Sequence, residues 1–304
     1  MEKIKQNVRS LMERLDYPAY AQKEILDTLD GIAADKVAKA WLFRLIAQYD
    51  ANENCDYKQM LLDIRALGDC LGIHEDMTGM LLFLCLAEKL RERYAERGID
   101  ESIYYNSMAD LRYKLEECRL IHGRVGTFVA DWYAGFFKLT RFALGRLQFE
   151  IINYFKDAYT VAGVELPAGS KVINIHIPRT GTKLDHDEVL ESYRMAAEMF
   201  GPQLGDAPVA FACTSWMLFP WHETVMSPTS NMMAFYHDFK IVAEGQYKDY
   251  AGVWRLFDRS FDENLDALPA DTSLRRAYID LMKRGEPTGW GRGIFIWKDG
   301  KVLN

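Results

Sequence analysis

The chain has 304 residues, of which 49% are hydrophobic and 27% are charged, and this length favours a folded protein of two domains. The net charge is −7 without any block rich in Lys and Arg, which disfavours a nucleic-acid-binding protein. The longest unbroken apolar run, residues 80–87, is far shorter than the roughly 20 residues of a membrane-spanning helix. A charged N-terminus without an apolar signal core, and five cysteines without a CxxC motif, predict a cytoplasmic protein with neither a disulfide framework nor a structural zinc site.

Residues 1–122 show helical spacing of their apolar side chains almost throughout. Ile25, Leu29 and Ile32, for example, recur at the three-to-four-residue step of one helix face. A very apolar helix through residues 80–90 continues into a polar segment, and Gly98 is in a position to cap its C-terminal end. A further helix is predicted over 102–120. This half of the chain therefore predicts an all-helical domain of about six helices.

After Gly123 the pattern changes to the two-residue alternation of strands. Residues 140–154 and 171–177 are predicted strands, and Pro178 ends the second. The elements expected next are a helix over about 186–200, a strand over 208–218, an amphipathic helix over 231–244, and late strands at 252–257 and 293–297. We therefore expect residues 123–304 to form a domain of mixed strands and helices.

A strand, a short loop and a helix follow one another in KVINIHIP-RTGTKLD-HDEVLESY. Unpaired backbone N–H groups at such a helix start suit a phosphate or pyrophosphate. Gly181 would allow a close approach of the backbone, and Arg179 and Lys183 would add positive charge. The alternative is an ordinary connection, since Asp185 can cap the helix and acidic residues in its first turn complement its dipole without a ligand.

Two predicted strands carry polar faces that could meet. Arg146, Gln148 and Glu150 alternate with apolar residues on the first strand, and Asn174 and His176 do so on the second. If the strands are neighbours, a glutamate and a histidine face one groove, where they could act as a general base toward an amine or alcohol. Solvated strand faces, or an ion pair within the fold, are the alternative explanation.

A third group of candidates lies between residues 215 and 237. Trp216 closes a predicted strand, Asn231 begins a helix, and Tyr236 on that helix could give a proton to a leaving group. Ser215 would suggest a hydrolase, but the GxSxG motif is absent. The acidic cluster at 185–188 with His186 could suggest a metal, but the charge preference of a helix start explains it and no second ligand set is evident, so no metal is expected.

Three stretches carry a family resemblance: RERYAERGIDESI with the following MADL, then ALGRLQFE, then NIHIP followed by SWMLFP and PTSN. Together they resemble a bacterial two-domain acyltransferase family with a helical N-acyltransferase N-terminal domain and a GNAT-like C-terminal domain. The resemblance covers nearly the whole chain. It implies an α+β fold, with a helical domain over 1–122 and a GNAT-like domain with a mixed, mostly antiparallel sheet over 123–304.

In the GNAT fold an acyl-CoA lies in the cradle of the central strand, the pyrophosphate loop and the following helix. The resemblance accordingly implies acetyl-CoA or another acyl-CoA as co-substrate. It places the central strand over 172–177, RTGTKLD at the pyrophosphate, and the helix over 231–244 beside the CoA thiol. The loop departs from the GNAT pattern Q/R-x-x-G-x-G/A, of which only Arg179 and Gly181 remain.

The resulting hypothesis is direct acyl transfer from a CoA thioester to the amine of a small molecule. His176 or Glu150 would act as the base and Tyr236 as the acid. The alternatives are a catalytically inactive module that binds CoA or another small ligand, and a helical interaction protein with an accessory α/β domain. The residues expected to contact the cofactor are Ile177, Arg179, Thr180, Gly181, Thr182, Lys183 and Asn231, and those expected to contact the acceptor are Arg146, Gln148, Asn174 and Trp216.

Overall fold

The computed structural model describes residues 1–153, 157–261 and 263–304. The chain divides into two compact units, Met1–Phe142 and Ala143–Asn304. Within the described ranges, no helix is both long and apolar enough to cross a membrane.

The first unit is built from helices, as the sequence predicted. Helix α5 is buried over most of its circumference and packs against α1, α3, α4 and α6, which is where a helix that is apolar on all sides belongs. The aspartates Asp35, Asp56 and Asp100 cap the starts of α3, α4 and α6, and Gly123 ends α6 in the left-handed conformation. The helices are α1 (Glu2–Arg14), α2 (Ala19–Ala34), α3 (Lys36–Ala51), α4 (Tyr57–Leu71), α5 (Glu75–Glu96), α6 (Glu101–His122) and α7 (Ala134–Phe137).

The boundary between the units lies after Phe142, later in the chain than the change of periodicity at Gly123. The intervening segment is too short and irregular to show helical spacing, but its aromatic side chains belong to the helical core. The ring of Phe83 on α5 lies 5.2 Å from that of Tyr133 and 4.9 Å from that of Phe137. Aromatic packing therefore assigns this segment to the first unit.

The second unit contains a sheet with strand order β1-β2-β5-β6-β8-β7, with β9 paired to β8 and a separate hairpin of β3 and β4. β5 and β6 are parallel, whereas β2–β5, β6–β8, β7–β8 and β8–β9 are antiparallel, so the predicted mixed, mostly antiparallel sheet is confirmed. The strands are β1 (Arg141–Leu144), β2 (Leu147–Asn153), β3 (Tyr159–Val161), β4 (Val164–Leu166), β5 (Lys171–His176), β6 (Ala210–Ser215), β7 (Lys240–Gln246), β8 (Gly289–Lys298) and β9 (Lys301–Leu303). The helices are α8 (His186–Leu204), α9 (His222–Val225), α10 (Asn231–His237), α11 (Trp254–Phe257) and α12 (Ser273–Lys283).

The two faces of this sheet are covered differently. On one face Phe149, Phe211 and Phe295 pack against Tyr193 of α8, with Tyr193 4.8 Å from Phe295 and 5.5 Å from Phe211 between ring centres. On the other face the β3–β4 hairpin adds an apolar cluster that covers the start of β5 and β6, with members Val161, Leu166, Val172, Ala210, Ala212, Ile294 and Ile296. The polar residues further along β2 and β5 lie outside this cluster.

The single strand predicted over 140–154 was wrong, because it is two strands joined by a tight turn. Gly145 takes φ +62°, a conformation that reverses the chain between β1 and β2. Alternation of side chains continues through both strands of such a hairpin, so the sequence pattern shows no break. Tyr154, the last residue of that prediction, lies outside the described residues.

The helix predicted over 231–244 ends at His237, and residues 240–246 form strand β7. Phe235, Phe239 and Val242 have helical spacing, but the β-branched run from Ile241 favours a strand once β8 is available as a partner. The strand predicted over 252–257 was also wrong, since Trp254–Phe257 is one turn of helix. Helix α12 and the short strands β3, β4 and β9 were not predicted.

Candidate functional site

The parallel strands β5 and β6 separate toward their C-terminal ends. They pair at Ile173–Phe211 and Asn174–Ala212, yet β5 continues to His176 and β6 to Ser215. Beyond Asn174 a gap therefore opens between two adjacent strands of the sheet. A gap of this kind gives a ligand access to strand backbone that a complete ladder would hide.

A glutamate and a histidine lie together beside this gap. The register of β2 and β5 places Glu150 opposite Asn174 and Gln148 opposite His176, so that all four lie on one face. Glu150 Oε1 is 2.7 Å from His176 Nε2, and Asn174 Nδ2 is 3.0 Å from the same nitrogen. The side chains of His176 and Glu150 are 22% and 17% exposed, which leaves them accessible but largely shielded from water.

This arrangement suits proton transfer. In the tautomer with a proton on Nε2, His176 donates to the Glu150 carboxylate, which orients the ring and balances a positive charge on it. Gln148, in contrast, is almost fully buried, at 2% exposure. The structure therefore brings the two predicted base residues and Asn174 together, with Gln148 buried on the same face.

Arg146 lies in the turn between β1 and β2 and not on the strand face where the sequence analysis placed it. Its guanidinium donates to the carbonyl of Pro178 at 3.1 Å and to that of Lys183 at 3.4 Å. Its backbone N–H donates to Ser192 Oγ at 2.8 Å. Arg146 thus holds both ends of the loop that follows β5.

That loop leaves part of its backbone open to solvent. Gly181 takes φ +79°, and Gly181, Thr182 and Lys183 are exposed. Within the loop, the hydroxyls of Thr180 and Thr182 lie 2.8 Å apart. The start of α8 is already partly satisfied, because the Asp185 carboxylate accepts from two of its backbone N–H groups at 3.0 and 3.3 Å. An anion at this loop would therefore meet the exposed loop and Lys183 more readily than the helix start.

Arg179 is already engaged by an acidic residue. Its guanidinium lies 2.6 Å from Asp258 Oδ1, and the other oxygen of that carboxylate lies 2.7 Å from Arg275. The Arg179 side chain is 35% exposed. Its position is fixed by this pair, and part of its charge is balanced before any ligand binds.

The remaining predicted residues lie at the ends of β5 and β6 and on α10. Ile177 follows β5 directly and is half-buried, Asn231 is the exposed first residue of α10, and Trp216 follows the end of β6. Tyr236 is 5% exposed, and burial, followed by the charges of Glu223 and Glu244, raises its pKa to about 12. Its hydroxyl is therefore protonated at neutral pH, as a proton donor must be.

Ser215 has a structural role that accounts for it. Its Oγ accepts from the Met217 backbone N–H at 3.1 Å and so caps the 3₁₀ turn Trp216–Leu218. This bond explains the serine without a nucleophilic role.

Two residues on the polar face were missed by the sequence analysis. Thr214 on β6 and Arg292 on β8 are cross-strand partners, and Arg292 Nε donates to Thr214 Oγ1 at 3.2 Å. Thr214 is two residues beyond Ala212, so it flanks the gap on the side opposite His176. The sequence did offer a signal for Arg292, because it is the one charged residue within the otherwise apolar stretch GWGRGIFIW.

Comparisons with known proteins match two parts of the chain to known domain families. Residues 141–295 match the GNAT-like C-terminal domain, and residues 6–139 match the N-acyltransferase N-terminal domain. The chain belongs to this two-domain N-acyltransferase family. No match is found among curated proteins.

Solved structures of acyltransferases share the fold of this family member. One, in complex with decanoyl-CoA and teicoplanin, is 21% identical with a TM-score of 0.73 and covers 96% of this chain and 88% of its own. A mutant acyltransferase in complex with octanoyl-CoA is 22% identical with a TM-score of 0.74 and the same coverages. A third, in complex with decanoyl-CoA, is 21% identical with a TM-score of 0.75 and covers 94% of this chain and 86% of its own.

Proposed function

We propose that this protein transfers an acyl group directly from a CoA thioester to the amine of a small molecule. The observation that carries the proposal is the gap between β5 and β6, with the Glu150–His176 pair beside it and an exposed, lysine-bearing loop at the end of β5. Acyl-CoA complexes of acyltransferases with this fold, one of which also holds teicoplanin, support the two substrate classes.

In the proposed reaction the acceptor attacks as a free amine, and His176, oriented by Glu150, takes a proton from its nitrogen as the new bond forms. The amine nitrogen forms a bond to the thioester carbonyl carbon, and the negative charge that develops on the carbonyl oxygen is stabilised by a backbone N–H of β5 in the gap. The C–S bond then breaks, and Tyr236 gives its proton to the departing thiolate. An amide and free CoA are the products.

The loop residues 179–183 would hold the pyrophosphate of CoA in this proposal. Lys183 supplies an exposed positive charge, and Gly181 leaves its backbone accessible. Thr180 and Thr182 offer hydroxyls that bond each other at 2.8 Å and could turn to phosphate oxygens. Arg146 would act indirectly, since it binds the carbonyls at both ends of the loop.

An inactive CoA-binding module is the second candidate. Two observations favour it, because they leave fewer groups at the loop to hold an acyl-CoA in a reactive position: the Asp185 carboxylate accepts from two backbone N–H groups at the start of α8, and Asp258 pairs with Arg179. In such a protein the loop would bind CoA, but no acyl group would be transferred.

Calorimetric titration of the full chain with CoA, acetyl-CoA and octanoyl-CoA tests the proposal first. We expect all three to bind, and an absence of binding by all of them contradicts both candidates. A second measurement follows free thiol released from the thioester in the presence of a panel of primary amines. Amine-dependent thiol release supports the transferase, whereas CoA binding without any amide product supports the inactive module.

A further inference from the structure

The first half of β8, GWGRG at residues 289–293, carries glycines on one side of the sheet and larger residues on the other. The glycine side is packed too closely for any side chain. A Cβ on Gly291 would overlap the carbonyl group of Leu218, and one on Gly293 would lie 2.5 Å from Phe239 Cβ. The tryptophan and the arginine between these glycines therefore project from the opposite side of the sheet.

That opposite side is the face that carries the proposed base. Asn174 of β5 pairs with Ala212 of β6, so His176 and Thr214 are each two residues further along on the same face. Thr214 is in turn the cross-strand partner of Arg292 on β8. His176, Thr214 and Arg292 therefore lie at one level of the sheet, on three neighbouring strands, and the gap lies between the first two.

The guanidinium of Arg292 is directed toward the gap. Its Nε donates to Thr214 Oγ1 at 3.2 Å, which draws the side chain from β8 over β6. The indole of Trp290 lies in the other direction, against β7, because a Cβ on Gly245 of that strand would be 2.6 Å from it. Arg292 Cζ is 5.8 Å from the centre of this indole, a distance at which the ring attracts the cation. Thr214 and Trp290 thus position the charge between them.

A ligand can reach this part of the sheet. Thr214 is exposed although β6 is an inner strand between β5 and β8, and His176, Trp290 and Arg292 are half-buried. The apolar cluster under the β3–β4 hairpin covers only the opposite end of these strands. Because charged side chains are uncommon on the inner strands of a sheet, Arg292 is better explained by a partner on this face than by packing.

Opposite charges stand at the two ends of this row. The Glu150 carboxylate lies beside His176 on one side of the gap, and the Arg292 guanidinium lies on the other side. Neighbouring strands are about 4.8 Å apart, so the backbones of β5 and β8 are separated by roughly 10 Å, and the side chains shorten this span. A molecule with an amino group at one end and an anionic group a few bonds away matches this arrangement. A carboxylate suits the planar guanidinium best, because it can accept two parallel hydrogen bonds.

We propose that Arg292 determines acceptor specificity by binding a carboxylate of the acceptor, which places the acceptor's amino group at the gap before His176. The acceptor class is then an amino acid or another amine that carries a carboxylate. Thr214 is a positioning residue, since it acts by directing the guanidinium. The inference rests on the proposed function, because it assigns a second contact to the acceptor of that reaction.

The test compares glycine, β-alanine and 4-aminobutyrate, each paired with its primary amide, as ligands of the full chain. Their dissociation constants are measured by calorimetry on the complex with CoA, and kcat/KM is measured by thiol release from acetyl-CoA and octanoyl-CoA. We expect the wild type to prefer at least one carboxylate over its amide, and the chain length that it prefers reports the spacing between the gap and Arg292. Arg292→Gln should lower that preference about tenfold. Arg292→Lys should retain part of it, since it keeps the charge but not the planar fork.

Lys298→Gln is the matched control, because Lys298 is exposed and lies on the same face of β8, six residues from Arg292 and remote from the gap. It should keep the preference of the wild type. The affinity for CoA is measured for every variant and should be unchanged in Arg292→Gln, which also shows that this variant is folded. If Arg292→Gln weakens CoA binding instead of the preference for a carboxylate, Arg292 serves the donor and the inference is overturned.

Thr214→Val keeps the shape of the side chain and removes the hydroxyl that directs Arg292. We expect it to lower the ratio of carboxylate to amide affinity about threefold, a change that a general loss of activity does not produce. A wild type that prefers none of the carboxylates, or an Arg292→Gln variant that keeps the preference, overturns the inference even when CoA binds. Failure of CoA to bind the wild type contradicts the proposed function itself.

Discussion

Glu150 Oε1 and His176 Nε2 lie 2.7 Å apart across neighbouring antiparallel strands, on the side of β5 that borders the gap. The two residues are far apart in sequence, and the pairing of β2 with β5 alone brings them together. In the proposed mechanism they act as one base.

The first prediction concerns this pair. Glu150→Gln and His176→Ala are each expected to lower kcat about 10²-fold or more, because in the proposed mechanism His176 takes the proton and Glu150 orients its ring. The kcat of the double variant should be only slightly lower than that of the less active single variant, since the effects of groups that act together are not additive. Steady-state kinetics measures all three, with Glu165→Gln on the exposed side of β4 as control. Full additivity would contradict a shared role.

Tyr236→Phe is expected to lower kcat about 10-fold to 100-fold while circular dichroism remains native. Burial and two nearby carboxylates raise the pKa of Tyr236 to about 12, so the phenol stays protonated below pH 10. The variant should therefore reduce the rate by the same factor across the range from pH 6 to pH 10. Tyr20→Phe, at a 45% exposed position, is the control, and a reduction that appears only at alkaline pH would argue against this role.

The charges of the loop after β5 should govern the affinity for CoA. Lys183→Ala is expected to weaken CoA binding about twofold to fivefold, as an exposed charge contributes little in water. Arg179→Ala should weaken it no more than this, because the Asp258 carboxylate already balances part of the guanidinium charge. Calorimetry at two salt concentrations measures both effects, which should shrink at high salt. Lys171→Ala at the start of β5 should change nothing, and an equal effect there would rule out a specific loop contribution.

A buried histidine should make the second unit sensitive to acid. Burial lowers the pKa of His222 from 6.5 to about 4, so the folded state favours the neutral ring. Because the folded pKa is lowered, the stabilisation is present above pH 6.5 and is lost as the pH falls toward 4. The loss is about 3 kcal/mol in the free energy of unfolding by pH 4.

Urea unfolding of the wild type and of His222→Phe between pH 4 and pH 7 measures this difference. We expect the variant to be less stable at pH 7, since it loses the bond to Tyr278, but to have a flatter dependence on pH. His237→Gln, at an exposed position, should retain the slope of the wild type. An equally steep slope in His222→Phe would show that other groups cause the acid sensitivity.

Position 145, in the turn between β1 and β2, should not tolerate a side chain. Gly145→Ala places a Cβ 2.6 Å from Ser192 Oγ at φ +62°, which combines backbone strain with a clash. We expect a loss of about 2–4 kcal/mol in the free energy of unfolding. Gly163→Ala in the β3–β4 turn is the matched control, because its φ is +77° but nothing lies within 4 Å of its Cβ. It should cost about 1 kcal/mol from strain alone, and equal losses would exclude the contact with Ser192.

Local features of this protein were predictable from its sequence. The helical spacing of Ile25, Leu29 and Ile32, the alternation in residues 171–176 and the Asp185 cap all depend on neighbours within one or two turns, and each is present in the structure. The same locality explains two errors. Residues 240–246 form a strand because β8 pairs with them, and the turn at Gly145 interrupts no alternation.

What the sequence by itself determined was the order of a helical part and a mixed α/β part, the family, and the residue types able to carry acyl-transfer chemistry. The tertiary structure alone decided which of those residues meet. Pairing of β2 with β5 brings Glu150 to His176, the separation of β5 from β6 opens the gap, and Asp258 reaches Arg179 from a distant segment. These contacts depend on strand order and on the residue at which strand pairing stops. Both are properties of the packed chain, and neither produces a periodic pattern of residues in the sequence.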